Sequence, residues 1–169
     1  MQEHGLKISE LVTLFNLEVL NRGSDYDTAL LTITDVNRPG LQFHSFYDYF
    51  DPRRLQVLGK AEITYLKGLT TEQRRKCFDD LFLYDIPALV ISRGLDCFPE
   101  CLESARVHER TLLRTEETTV EFTSHTIEYL NRVLAPCVTR HGVLLDISGE
   151  GVMITGDSGI GKSESAIRS

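Results

Sequence analysis

Gly156-Asp157-Ser158-Gly159-Ile160-Gly161-Lys162-Ser163 is a glycine-rich run near the end of this chain. It fits G-x-x-x-x-G-K-[ST], the Walker A or P-loop pattern, in which backbone N–H groups wrap around nucleotide phosphates. The preceding residues 151–155 are predicted to form a short buried strand, and residues 162–168 the first turns of a helix. This order of strand, loop and helix is the one the motif requires, because the helix N-terminus adds aligned amides and a positive dipole at the anion.

The residue types in the loop suit phosphate chemistry. Gly156, Gly159 and Gly161 let the backbone approach the phosphates without Cβ clashes. Lys162 would place an ammonium group between the β- and γ-phosphates, and Ser163 would offer its hydroxyl to Mg²⁺. The spacing therefore predicts that the whole loop, from Gly156 to Ser163, binds nucleotide and that Ser163 is the metal ligand. The variable positions, Asp157 and Ser158, receive no separate role.

Phosphoryl transfer to a hydroxyl also needs a group that positions the nucleophile or accepts its proton. Upstream of the loop, His141 has suitable chemistry and lies on a predicted strand, residues 140–147, that pairs with the P-loop strand. A lone histidine on a strand is more often structural, so spacing alone favours a structural role for it. Glu164, just inside the helix, complements the helix dipole, which favours a capping role over a catalytic one.

The composition indicates an ordinary globular protein: 169 residues, 41% hydrophobic and 25% charged. The formal net charge of −7 comes from carboxylates spread along the chain. Such a surface argues against nucleic acid or an anionic membrane as the main partner, because both call for basic patches. No segment approaches ~18 uninterrupted apolar residues, and residues 1–5 lack the build of a signal peptide. We therefore expect a cytoplasmic protein whose cysteines are free thiols: Cys77, Cys97, Cys101 and Cys137.

Hydrophobic periodicity predicts a small α/β domain before Pro136. The predicted helices cover residues 7–15, 62–66, 71–82, 99–107 and 118–134, and the predicted strands cover residues 18–20, 29–34, 56–59, 88–92 and 111–114. The run 88–92 is apolar throughout, as in strands that are covered on both faces. The alternation across residues 56–114 implies a parallel sheet. We therefore predict an N-terminal α/β domain at residues 1–134 and the start of a P-loop domain at residues 135–169.

Local signals add three smaller predictions. Ser9 is a candidate cap for the first helix, and Thr70 or Thr71 for the helix over residues 71–82. Residues 37–40 are predicted to form a tight turn in which Gly40 supplies a positive φ. Residues 41–50 are rich in aromatic side chains with no basic residues among them, which favours a core or subunit interface over a base-stacking surface.

Much of this sequence resembles bacterial HPr kinase/phosphorylase. The segment from His141 to Glu164, HGVLLDISGEGVMITGDSGIGKSE, resembles the start of that family's catalytic domain. Residues 134–136 are similar to its inter-domain junction. Five upstream segments are similar to its N-terminal domain: residues 16–21, 37–41, 46–50, 56–60 and 92–95. The resemblance covers essentially the whole chain up to about Ala166.

The resemblance implies a fold and a chemistry. Members of the family use ATP, or in some cases pyrophosphate, to phosphorylate a regulatory serine on HPr, the phosphocarrier of the sugar phosphotransferase system. With inorganic phosphate they run the reverse reaction, which links carbon catabolite repression to metabolic state. They are cytoplasmic, Mg²⁺-dependent and typically hexameric, and their N-terminal domain is similar in fold to the amino-terminal domains of peptidoglycan-precursor ligases. For this chain the resemblance implies nucleotide binding at Gly156–Ser163, Mg²⁺ at Ser163, and catalytic roles for His141 and Lys162.

The sequence departs from the family after the P-loop. Members continue with a longer helix and a strand ending in an acidic pair, including an aspartate that acts as general base, and residues 167–169 differ from their usual leucine-rich continuation. We therefore expect the 169-residue chain alone to be catalytically inactive. The alternative is a regulatory or interaction module with a vestigial P-loop. An unrelated P-loop ATPase agrees less well with the extent of the resemblance.

Overall fold

The computed structural model describes residues 5–135 of the chain. These residues form a central five-stranded sheet with helices on both faces. In chain order the elements are β1 (Leu6–Lys7), α1 (Ile8–Phe15), β2 (Glu18–Asn21), β3 (Leu30–Leu31), β4 (Val36–Asn37), α2 (Gly40–Phe43), β5 (Leu55–Leu58), α3 (Lys60–Lys67), α4 (Thr71–Phe82), β6 (Leu89–Ile91), α5 (Pro99–His108), β7 (Leu112–Arg114) and α6 (Thr119–Val133).

The sheet is mostly parallel, as the alternation of strands and helices predicted. Its strand order is β2-β7-β6-β5-β4, in which β4 to β7 run parallel and β2 pairs antiparallel with β7 at one edge. Val90 of β6 lies between Val57 of β5 and Leu113 of β7, which fixes the register of the three central strands. A separate two-stranded antiparallel pair joins β1 to β3.

The central strands are buried on both faces, which explains their continuous apolar sequences. Successive side chains of a strand point to opposite faces. Leu58, Leu89 and Ile91 therefore pack with the helices α3, α4 and α5. Val57 and Val90 pack on the other face with α1 and α6. Two apolar faces require two helical layers, so the sequence of these strands already implies a three-layer α/β arrangement.

Reciprocal caps set the starts of the two longest helices. The Gln73 N–H donates to Thr70 Oγ1 at 3.1 Å, while the Thr70 N–H donates to Gln73 Oε1 at 3.0 Å. Thr118 and Glu121 make the same pair of bonds at the start of α6. Each pair satisfies two backbone donors that a helix start leaves free. The predicted bounds of α4 and the cap at Thr70 are confirmed.

Three local predictions were wrong. Gly40 does not adopt a positive φ, because the chain continues from it directly into the right-handed helix α2. Ser9 does not cap α1, which begins one residue earlier; the Lys7 N–H there donates to Glu10 Oε1 at 3.3 Å. The strand predicted over residues 29–34 contains only Leu30–Leu31, because its pairing partner β1 is just as short.

The aromatic segment 41–50 divides between core and surface. Phe43 is buried and meets Phe78 of α4 edge to face, with ring centroids 5.7 Å apart. Tyr49 in contrast is 98% exposed, so only part of the segment serves the core as predicted. The three cysteines between residues 5 and 135 are free thiols, as expected. Across the same residues, every helix is too short or too polar to cross a membrane.

Two leucines at the end of α4 provide a matched test of this packing. Leu81 is fully buried beneath the helical layer, whereas Leu83 is 67% exposed. We expect Leu81→Ala to lower the free energy of unfolding by about 2–5 kcal/mol, since it removes buried methyl groups and leaves a cavity. Leu83→Ala should change it by no more than about 0.5 kcal/mol. Urea unfolding followed by circular dichroism measures both, and equal losses would contradict the burial assigned to these two side chains.

Candidate functional site at the carboxyl edge of the sheet

The site residues predicted from the sequence lie outside the described residues. They are the nucleotide-binding loop Gly156–Ser163, which contains the catalytic Lys162 and the metal ligand Ser163, and the catalytic His141. Within residues 5–135, the place to search for a site is the crevice at the carboxyl ends of the parallel strands, where open α/β sheets bind ligands. Polar side chains gather there. The carboxyl-edge cluster consists of Arg38, Gly59, Glu62, Ser92 and Thr119.

Glu62 is the centre of the carboxyl-edge cluster. It lies in the first turn of α3, where a carboxylate complements the helix dipole, and it is only 9% exposed. Its Oε1 accepts the Gly59 N–H at 2.7 Å and Arg38 Nη2 at 2.8 Å. A buried carboxylate needs such partners, because an unpaired buried charge is strongly unfavourable. The contacts therefore join the end of β5, the start of α3 and the segment after β4.

Two buried hydroxyls complete the carboxyl-edge cluster. Ser92 Oγ, just after β6, donates to the Leu58 carbonyl oxygen at 2.8 Å and lies 2.6 Å from Thr119 Oγ1. A hydroxyl carries a single proton, so Thr119 is the donor in the second bond. These contacts tie the carboxyl ends of β5 and β6 to the first turn of α6. Helices from both layers thus make polar contacts with the strand ends at this edge.

The geometry of the carboxyl-edge cluster is structural and does not suit phosphate binding. A Cβ atom at position 59 would lie 2.5 Å from Thr119 Oγ1 and 2.6 Å from Arg38 Nη2, so the space above Gly59 is already filled by the chain itself. The Gly59 N–H is taken by the carboxylate of Glu62. A nucleotide phosphate arriving at the start of α3 would meet this negative charge where a P-loop presents free amides.

Sequence reasoning missed the carboxyl-edge cluster. One signal was available: Glu62 stands three residues after Gly59, at the position from which a glutamate bonds back to the N-cap amide of a helix. Arg38 gave no comparable signal, because it is 24 residues away in the chain. Only the pairing of β4 with β5 brings it to Glu62.

A shallow groove lies beside the carboxyl-edge cluster, with a volume of about 410 Å³. Its lining includes Arg38, Leu41 and Tyr65. The ring of His44 packs on Tyr65 with the centroids 4.5 Å apart, and His44 Nδ1 lies 3.0 Å from the Gly40 carbonyl oxygen. These are apolar and stacking surfaces, which suit binding rather than catalysis.

A second polar cluster combines a serine, an aspartate and a histidine but does not form a catalytic triad. Ser104 Oγ donates to Asp79 Oδ1 at 2.5 Å, and His108 Nε2 lies 3.3 Å from the same oxygen. In a triad the histidine stands between the serine and the carboxylate, whereas here Asp79 is in the middle and Ser104 is fully buried. Burial pushes the pKa of Asp79 up, but hydrogen bonds from Ser104 and Arg75 outweigh it and hold that pKa below its usual value. The cluster links α4 to α5.

Comparison with known proteins identifies the family. The family described as HPr Serine kinase N terminus matches residues 6–130, and the one described as HPr Serine kinase C-terminal domain matches residues 132–168. The chain belongs to the HPr serine kinase family. The resemblance recognised in the sequence is thereby confirmed.

Curated relatives carry the name of the same family. The HPr kinase/phosphorylase of Alkaliphilus metalliredigens (strain QYMF) is 45% identical over 162 residues, which are 96% of this chain and 52% of the relative. The HPr kinase/phosphorylase of Clostridium perfringens (strain SM101 / Type A) is 43% identical over 163 residues, again 96% of this chain and 52% of the relative. The chain spans about half the length of the curated relatives it matches.

Solved structures that share the fold include one of the CBS and DRTGG domains of the regulatory region of Clostridium perfringens pyrophosphatase, complexed with the activator diadenosine tetraphosphate. The TM-score is 0.50 at 14% sequence identity, and the match covers 77% of this chain and 54% of the other. Such a similarity concerns the α/β fold alone.

Two glycines test the packing of the carboxyl-edge cluster. Gly59→Ala would force Thr119 and Arg38 to move, and we expect it to lower the free energy of unfolding by about 1–3 kcal/mol. Gly40→Ala is the matched control, because a Cβ there meets nothing within 4 Å. That variant should be neutral, or stabilising by up to about 1 kcal/mol, since alanine restricts the unfolded chain. Thermal and urea unfolding of the two variants measure this difference, and a neutral Gly59→Ala would show that the cluster is looser than the distances indicate.

Proposed function

We propose that this chain supplies the N-terminal domain and the P-loop of an HPr kinase/phosphorylase. Such an enzyme phosphorylates a regulatory serine on HPr with ATP or pyrophosphate and, with inorganic phosphate, reverses the reaction. One observation carries the proposal: the loop Gly156–Ser163 falls inside the segment, residues 132–168, that matches the C-terminal domain of the HPr serine kinase family. The names of the relatives support the same activity.

In this proposal the loop residues do the phosphate chemistry. The backbone amides of Gly156–Ser163 hold the phosphates, and Lys162 spreads the negative charge that develops during transfer. The hydroxyl of Ser163 would hold Mg²⁺, which would supply positive charge beside the phosphates. His141 acts in the same site as a catalytic residue, a role that rests on the family resemblance. The carboxyl-edge cluster takes no part, because Glu62 already occupies the start of α3.

The domain arrangement and the setting belong to the same proposal. We place the boundary between residues 134 and 135. A division in this region is supported by the two family matches, of which the first ends at residue 130 and the second begins at residue 132. The N-terminal α/β domain is similar in fold to the amino-terminal domains of peptidoglycan-precursor ligases. The complete enzyme is cytoplasmic, acts in carbon catabolite regulation and assembles as a hexamer.

A chimeric enzyme tests the proposed function. Residues 1–168 of this chain are joined to the remaining half of the Alkaliphilus metalliredigens relative, whose matched part is 45% identical. We expect this chimera to transfer phosphate from Mg-ATP to a serine of HPr, detected by mass spectrometry, and to dephosphorylate the product when inorganic phosphate is added. A folded, hexameric chimera without either activity would favour the interaction module with a vestigial P-loop.

Substitution of Lys162 in that chimera tests the role of the loop most directly. We expect Lys162→Ala to lower the rate of transfer by roughly 10²–10³-fold, because the charge that develops on the phosphoryl group loses a positioned donor. Lys60→Ala removes the same charge from an exposed position on α3 and should leave the rate unchanged. Initial rates at saturating Mg-ATP provide the measurement. Equal rates for Lys162→Ala and Lys60→Ala would remove Lys162 from the mechanism.

A further inference from the structure

Two cysteines stand together where the chain passes from β6 into α5. Cys97 precedes Phe98, the N-cap residue of α5, and Cys101 lies in the first turn of that helix. The family assignment gives neither thiol a role. Both are free in the structure, as is the third described cysteine, Cys77.

At the start of α5, the thiol of Cys97 and the backbone amide of Cys101 contact the same oxygen atom. The Cys97 thiol donates to the Phe98 carbonyl oxygen at 3.4 Å, and the Cys101 N–H donates to the same oxygen at 3.0 Å. Cys97 also packs against the core cluster to which Cys101 belongs. Pro99 fixes the backbone between them in the first helical position, so this arrangement is held by the chain itself.

The surroundings give the two sulfur atoms different chemical characters. Cys97 is half-buried; its neighbour Cys101, as a hydrogen-bond donor, lowers the pKa of Cys97, and Arg114 lowers it further. Cys101 is 1% exposed, and burial raises its pKa. Thiolate character and access select which cysteine reacts first with an oxidant. Both conditions favour Cys97, because its pKa is lowered and its side chain is partly exposed, whereas Cys101 is buried and its pKa is raised.

We propose that Cys97 and Cys101 form an oxidisable dithiol, in which Cys97 reacts with hydroperoxides and Cys101 resolves the product as an intramolecular disulfide. In the first step the Cys97 thiolate attacks a peroxide oxygen; an S–O bond forms, the O–O bond breaks, and the released alkoxide or hydroxide takes up a proton. Cys97 becomes a sulfenic acid. In the second step the Cys101 sulfur attacks Cys97, an S–S bond forms, the S–O bond breaks, and hydroxide leaves with the Cys101 proton as water. Two electrons pass from the thiols to the peroxide.

Cys77 is a natural internal control. It is buried in the same core cluster, where its thiol donates to the Phe43 carbonyl oxygen at 3.4 Å. Burial raises its pKa as well. An oxidant that reached buried thiols without selection would attack Cys77 and Cys101 alike, whereas the proposed dithiol reacts through Cys97 alone.

Peptide mapping of the intact chain tests the proposal directly. Trypsin cleaves after Arg93 and Arg106, so Cys97 and Cys101 share one peptide, residues 94–106, while Cys77 and Cys137 fall in two others. The native protein is treated with a small excess of hydrogen peroxide, denatured, alkylated with iodoacetamide and digested. The masses of the peptides are then measured by mass spectrometry. We expect peptide 94–106 to lose two hydrogen atoms and to resist alkylation until dithiothreitol is added, while buried Cys77 is fully alkylated.

Two variants separate the roles of the thiols. In Cys101→Ser the oxidation should stop at the Cys97 sulfenic acid, which dimedone traps. In Cys97→Ser the Cys101 thiol should stay reduced at the same peroxide dose. Any of three results for peptide 94–106 of the native chain would overturn the proposal. They are two alkylated thiols, added oxygen without a disulfide, and a disulfide to the peptide of Cys77 or Cys137. The native map alone decides the outcome if either variant fails to fold.

Discussion

Burial of both faces of β5 and β6 is the constraint on which the rest of the domain depends. Strands without a solvated face need a helical layer on each side. Parallel pairing places α3, α4 and α5 in the connections between β5, β6 and β7, on one face, whereas the other face is covered by α1 and α6, which lie outside those connections. Two of the buried polar residues, Ser92 and Thr119, lie beyond the ends of these strands. The carboxyl-edge cluster and the start of α5 both occupy such positions.

The carboxyl edge of this sheet and the P-loop pattern differ in how they could receive a nucleotide. The α/β domain has a sheet edge of the kind that binds ligands in other α/β proteins, but it fills the start of α3 with its own carboxylate, Glu62. The P-loop pattern at Gly156–Ser163 has three glycines ahead of its lysine, a run that the sequence before Lys60 lacks. On the proposed account, nucleotide binds to the second domain and not to the first. The dithiol would add a site of oxidation to the first domain.

The sequence predicted the fold best where the local pattern and the tertiary environment agree. The helix over residues 71–82 has a cap and a regular apolar stripe, and its bounds were predicted correctly. The parallel sheet followed from the alternation of elements. β4 and α2 were missed, because two-residue strands and four-residue helices carry no periodicity. Arg38 was missed for a related reason: its contact with Glu62 exists only through strand pairing, which no local pattern encodes.

Backbone amide NMR of the 169-residue chain during titration with Mg-ATP tests most directly where nucleotide binds. The account predicts that the amide signals of residues 156–163 shift, while the Gly59 amide does not, because that N–H is held by the Glu62 carboxylate. A saturable shift at Gly59 and its neighbours, with residues 156–163 unchanged, would contradict the account. It would place the nucleotide site at the carboxyl edge of the sheet.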